Sequence, residues 1–138
     1  MMQLIKVCAF WICTASFCWG QTVTTLTDAI PGGSGGVCID KAGNIYVADF
    51  GNKLGAGYIP GDKVFKVTPE GEVSVFATGL VGASGNAFDS QGNLFQSNIG
   101  ANSISKIAPD GSVTLFSNVG LASPVGIIID EDDNLYIS

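Results

Sequence analysis

Few side chains in this 138-residue sequence can do chemistry: it has twelve carboxylates, six lysines, four cysteines and no histidine. Without an imidazole there is no His general base and no Cys–His or Ser–His nucleophile pair. Cys8, Cys13 and Cys18 all precede residue 21, and the fourth cysteine, Cys38, lies between Val37 and Ile39. One thiol forms no internal disulfide, and in an apolar run it reads as a small buried hydrophobe. Asp130, Asp132 and Asn134 alternate like the opening of a calcium loop, but the glycine and distal glutamate of that motif are absent. Asp40 to Asn44 and Asp89 to Asn93 write the same turn without the middle acid, so a plain hairpin turn is expected. Gly32 to Gly36 (GGSGG) is as glycine-rich as a phosphate loop, yet no helix follows to supply a dipole. Its expected use is to let backbone pass close to the axis of the fold.

That leaves Asp49, Asn52, Asn98 and Asn102, whose carboxylate and amides can meet a small molecule or a protein partner. All four follow the second strand of a repeated unit and so fall on one rim of the fold; they are the candidate ligand contacts. The competing use of each is to cap its own turn.

The elements that position them come from a phrase written three times. DKAGNIYVAD at Asp40, DSQGNLFQSN at Asp89 and DEDDNLYIS at Asp130 align, as do KVFKVTPEGEVSVFAT from Lys63 and SISKIAPDGSVTLFSN from Ser103. TVTTLTDAIPGGSGGVCID from Thr22 matches SVTLFSNVGLASPVGIIID from Ser112 without a gap. A period in the forties with four short strands per unit is the pattern of propeller blades. The first strands (GVCID, GNAFD, GIIID) are expected to be dry on both faces. The fourth are expected to alternate, with Val73 and Val75, or Val113 and Leu115, facing one way and Ser74 or Thr114 the other. Gly43 and Gly92 are expected to supply a positive φ in the first turn, Asp133 taking that place in the third unit. Pro69-Glu70-Gly71 and Pro109-Asp110-Gly111 make the turn between third and fourth strands. The stretch NKLGAGYIPGDK in the first unit reads as a long loop, with Tyr58 at its middle.

The fold class is therefore all-β: a partial β-propeller of about two and a half four-stranded blades plus a leading outer strand, Thr22 to Leu26. Residues 1–20, with Lys6 followed by the uncharged run VCAFWICTASF, have the layout of a secretory signal, and residues 21–138 form the propeller domain. The reading predicts export to the periplasm or the medium, and no membrane span once the leader is removed. The formal charge is −6 over the whole sequence. Nucleic acid is thereby disfavoured as a partner.

GVCIDKAGNIYVADFGN followed by KVFKVTPEGEV resembles the NHL repeat and the related six-bladed propellers of the gluconolactonase, senescence marker and streptogramin lyase group. The resemblance covers essentially all of Thr22 to Ser138. It implies a calcium or magnesium ion on the axis of a full-length protein, held by Asn and Asp side chains just before the glycine that opens each first strand, plus a glutamate. The matching positions are Gly35, Ser84 and Val125, with Ala122 near the glutamate's place, and none carries a carboxylate or amide. Streptogramin lyases rely on a histidine, which this sequence lacks. No catalytic set and no metal set is thus readable. A closed ring of such blades needs on the order of 160 residues, so the two outward faces are expected to be bare and to drive self-association. Two functions are consistent with the sequence: a non-catalytic exported scaffold that presents one rim to a ligand or protein, or part of a metal-dependent lactonase-like hydrolase whose ligands lie in further blades.

Overall fold

A computed structural model describes residues 4–8, 22–30, 32–52 and 56–138, of which residues 4–8 and 22 are described by their backbone alone. Within residues 1–20, read as a leader, the described part is one strand, β1 (Leu4–Cys8).

Two antiparallel four-stranded sheets form the body. The first is β3 (Gly33–Ile39), β4 (Ile45–Gly51), β5 (Lys63–Val67) and β6 (Val73–Thr78), in that spatial order. The second is β7 (Ala83–Phe88), β8 (Leu94–Asn98), β9 (Ser103–Ile107) and β10 (Val113–Ser117), ordered in the same way. Two half-sheets flank them: β1 with β2 (Thr22–Thr27), and β11 (Ile127–Ile129) with β12 (Leu135–Ile137). Sequence order equals spatial order because consecutive strands pair as hairpins, through short turns everywhere except the long loop after β4. Gly43 and Gly92 have φ of 86° and 84°, and Asp133 takes their place at 62°.

The sheets stack face to face through three apolar seams. Leu26, Ile30, Val47, Phe65 and Val67 form the seam between β2 and the first blade. Tyr46, Ala48, Val64, Leu94 and Ile107 form that between the first and second blades. Phe95, Ile104 and Ile127 form that between the second blade and β11–β12. At the innermost strands the approach is backbone on backbone. A Cβ on Gly36 would stand 2.7 Å from Ser84 O and 2.8 Å from Gly85 Cα. Gly85 N–H donates to Val125 O at 2.7 Å. The glycine run thus lets the innermost strands of neighbouring blades touch through their backbones.

One expectation is corrected and another qualified. First strands are not dry on both faces: Val37 and Ile39 are 50% and 62% exposed and Ile128 68%. Side chains alternate across a strand, and these three point to the outer sides of the stack, where no described blade stands. The fourth strands alternate as expected through Val75 and Leu115, but then break step. In β6 the partners of Val64 and Phe65 are Ala77 and Val75, so Phe76 is an inserted bulge residue; Phe116 in β10 and Leu26 in β2 are inserted likewise. A bulge turns one extra side chain. Val75 and Leu115 consequently stay exposed, while Phe76 and Phe116 pack edge-on against Tyr46 and Phe95, with ring centroids 4.8 and 4.9 Å apart.

Candidate functional site

Asp49, Asn52, Asn98 and Asn102 all lie at the ends of β4 and β8 or in the loops leaving them, on the rim that also carries the blade-to-blade connections. Three of them are committed to holding that rim together. Asn98, 2% exposed, donates from Nδ2 to Ser105 Oγ at 2.9 Å, and its Oδ1 accepts from Val81 N–H at 3.4 Å. Asn52 closes the long loop, donating to Gly57 O at 3.2 Å and accepting from Ile59 N–H at 2.8 Å. Asn102 has a left-handed backbone (φ 47°) and its Oδ1 accepts from Ser123 N–H at 2.7 Å. These are the bonds that short polar side chains make when they substitute for missing backbone partners. Tyr58 belongs to the same scaffold: it stacks on Phe50 and donates to Phe50 O at 2.8 Å.

Asp49 differs. It is half-buried beside Gly32 and Gly61 and, among the described residues, accepts one hydrogen bond, from Gly51 N–H at 3.0 Å. Burial raises its carboxyl above the ordinary carboxylate range, a push that the Gly51 bond and the Lys63 charge only partly oppose and the Asp62 charge reinforces. A carboxylate short of partners gains when a cation or a donor reaches it.

On the axis, the positions implied for a divalent cation do not fit one. Gly35 lies against the Ser84 backbone, Ser84 is buried, and Val125 O is taken up by Gly85 N–H and Ser97 Oγ. Among the described residues no three of His, Cys, Asp or Glu cluster as metal ligands. Asp130 spends its oxygens on Asp132 N–H, Asn134 and Tyr136 O–H, the plain hairpin expected of it.

No family profile matches the sequence, and no curated protein does. Solved structures do. A streptogramin B lyase superposes with a TM-score of 0.66 at 20% identity over 86% of this chain and 38% of that one. A gluconolactonase-family protein gives 0.64 at 21% identity over 87% and 47%. An inactive virginiamycin B lyase of Staphylococcus aureus, solved with quinupristin, gives 0.63 at 16% identity over 87% and 39%. The chain spans less than half the length of each. The protein is a run of β-propeller blades.

The propeller has a second concave feature, on the opposite rim, which sequence reasoning missed. Between the first turns of the two full blades lies a cleft with Lys41, Asp40 and Asp89 at its mouth and Tyr46, Phe76 and Phe88 as its floor. Tyr46 stands edge-on to Phe88 as well as to Phe76, at 4.9 Å. Its hydroxyl donates to Asp40 Oδ2 at 3.2 Å, and burial together with the Asp40 charge pushes that phenol up to about 12. The signal available in the sequence was the recurrence of an aromatic at Tyr46 and Phe95 beside the outer-strand Phe76 and Phe116. Also missed was the polar row Asn86, Gln96 and Ser105, which replaces Val37, Val47 and Phe65 of the first blade and is buried against it.

Proposed function

We propose that the protein is an exported binding scaffold that meets its ligand or protein partner at the rim where β4 and β8 end. The observation that supports this is Asp49: of these four polar side chains it alone is half-buried and, among the described residues, accepts a single hydrogen bond, from its own turn. The other three organise the loops around it. The recognition chemistry is that of a cationic or hydrogen-bond-donating group reaching a half-buried carboxylate that packs against Gly32 and Gly61.

A thermal-shift screen of primary amines, guanidines and polyols tests the reading. Compounds that stabilise the wild type are expected to lose their effect on Asp49→Asn, while Asn52→Ala keeps it. Stabilisers that act equally on Asp49→Asn, or a screen without any, would end the proposal. Export is read separately, from the intact mass of protein recovered outside the cytoplasm: a product beginning at Gln21 agrees with it, and a chain that keeps residues 1–20 and stays inside the cell does not.

A further inference from the structure

The seam between the second blade and β11–β12 shows what the cleft in the preceding seam is built to hold. There, Asp133 of one first turn reaches across to the turn before it: Ser90 N–H donates to Oδ1 at 2.7 Å and Ser90 Oγ to Oδ2 at 2.6 Å. The positions recur one blade earlier. Lys41 stands where Ser90 stands, and Gly92 where Asp133 stands. The seam between the first two blades therefore has the receiving turn but no carboxylate to fill it, and Lys41 N–H has no acceptor among the described residues. That is why a cleft is open at this seam.

The surroundings repeat as well. Two turn aspartates flank each place, Asp89 and Asp130 around Asp133, and Asp40 and Asp89 around the cleft. Lys106 lies over the Phe95 ring at 5.6 Å and Lys66 over Tyr46 at 5.8 Å. In the later seam the bonds from Ser90, with Lys106 aiding and Asp130 opposing, hold the Asp133 carboxyl below its ordinary range. An anion is thus stable in this frame despite the neighbouring aspartates. At the earlier seam the frame is more positive, because Lys41 adds an ammonium where Ser90 has only a hydroxyl. The cleft floor of Tyr46, Phe76 and Phe88 is aromatic.

We propose that the cleft between the first two blades binds a small carboxylate with an apolar body. The carboxylate takes the place of the Asp133 side chain, on Lys41 N–H and the Lys41 ammonium, and the body rests on Tyr46, Phe76 and Phe88. This goes beyond the Asp49 rim: it is a different site, on the opposite rim, for a ligand of opposite charge.

Phenylacetate is the probe, followed by amide chemical shifts on the chain Met1–Ser138. Saturable shifts at Lys41 and at the Tyr46 ring are expected, with phenylacetamide at least tenfold weaker. Gly92→Asp is the decisive variant. Its Cβ would meet nothing within 4 Å, and its φ of 84° is one that Asp133 already adopts in kind. The introduced carboxylate should occupy the site from within and weaken phenylacetate at least tenfold, with far-UV circular dichroism unchanged. Lys41→Glu, an exposed change, should abolish binding and serves if Gly92→Asp misfolds. The proposal is overturned if phenylacetamide binds as well as the acid, if binding survives both variants, or if Lys41 does not shift. It is also overturned if a peptide ending in phenylalanine binds and phenylacetate does not.

Discussion

Replacing Gly36 by alanine separates two readings of the innermost strands by the sign of the effect. The backbone of Gly36 is not left-handed, so if the glycine were merely permissive, alanine would stabilise by about 0.4–1 kcal/mol through the unfolded chain. The structure predicts the reverse. A Cβ there would meet Ser84 O at 2.7 Å and Asn86 N and Gly85 Cα at 2.8 Å, all backbone, where ordinary contact begins near 3.4 Å. The two blades would have to part by several tenths of an ångström. A gap of about 0.5–1 Å forfeits a quarter to a half of the dispersion well of every atom pair that spans it. Overpacking of this kind costs about 2–3 kcal/mol. With a urea slope of about 1–2 kcal/mol/M, the midpoint should fall by about 1–3 M. Both tryptophans, Trp11 and Trp19, precede residue 21, so far-UV circular dichroism is the readout of the blades. An unchanged or raised midpoint would refute the claim that the blades touch backbone to backbone.

Other side chains carry their own expected outcomes. Asp40 accepts from Ala42 N–H, Asn44 N–H, Asn44 Nδ2 and Tyr46 O–H, and Asp40→Ala should cost about 1–3 kcal/mol in urea denaturation. Slight burial of the Asp40 carboxyl pushes upward, but the bonds from Asn44, Ala42 and Tyr46 outweigh it and hold the group below its ordinary range. Its contribution is therefore complete above the unfolded value, near pH 4, and is lost as pH falls through the lower folded value. The urea midpoint of the wild type, but less so that of Asp40→Ala, should drop across that acid window. Burial, with the Asp40 charge adding to it, pushes the Cys38 thiol up to about 12, so a thiol reagent at pH 8 should label Cys38 only after unfolding. Asn98→Ala should speed hydrogen exchange at Val81 and lower stability by about 1–2 kcal/mol, because it removes the Val81 and Ser105 partners together.

Blade number, strand order and turn positions were legible because a short hairpin unit repeated with alignable turn residues leaves little freedom: Gly43, Gly92 and Asp133 each mark the same left-handed position. The outer strands were less legible. Alternation holds through Val75 and Leu115, but a bulge at Phe76 or Phe116 then adds a packing side chain without altering strand propensity, and a period of two does not show it. The dryness of the first strands was misjudged because burial depends on which blades stand alongside, a property that Val37 and Ile128 do not carry in their own identity. The candidate rim was placed correctly as a location, yet whether Asn98 faces solvent or the Ser103–Ser105 hydroxyls depends on the register of β8 with β9, which spacing alone does not fix. The cleft arises from an inequality between seams, Gly92 against Asp133, visible only once the partner of Ser90 is seen.

The bulged aromatics give the stack a polarity. Phe76 reaches forward and pairs with Tyr46 in the seam with the next blade, whereas the side facing backward carries one aromatic, Phe65, among aliphatic residues such as Val47 and Val73. Shortening the array from its two ends is therefore not equivalent. Removing a blade's carboxyl-side neighbour lays bare a paired aromatic edge, as Phe116 at 51% exposure already illustrates, while removing its amino-side neighbour uncovers a single phenylalanine, Phe65 or Phe88, set among aliphatic carbon. Aromatic edges adhere more strongly per unit area, so pieces cut on the carboxyl side of a blade should be the stickier ones.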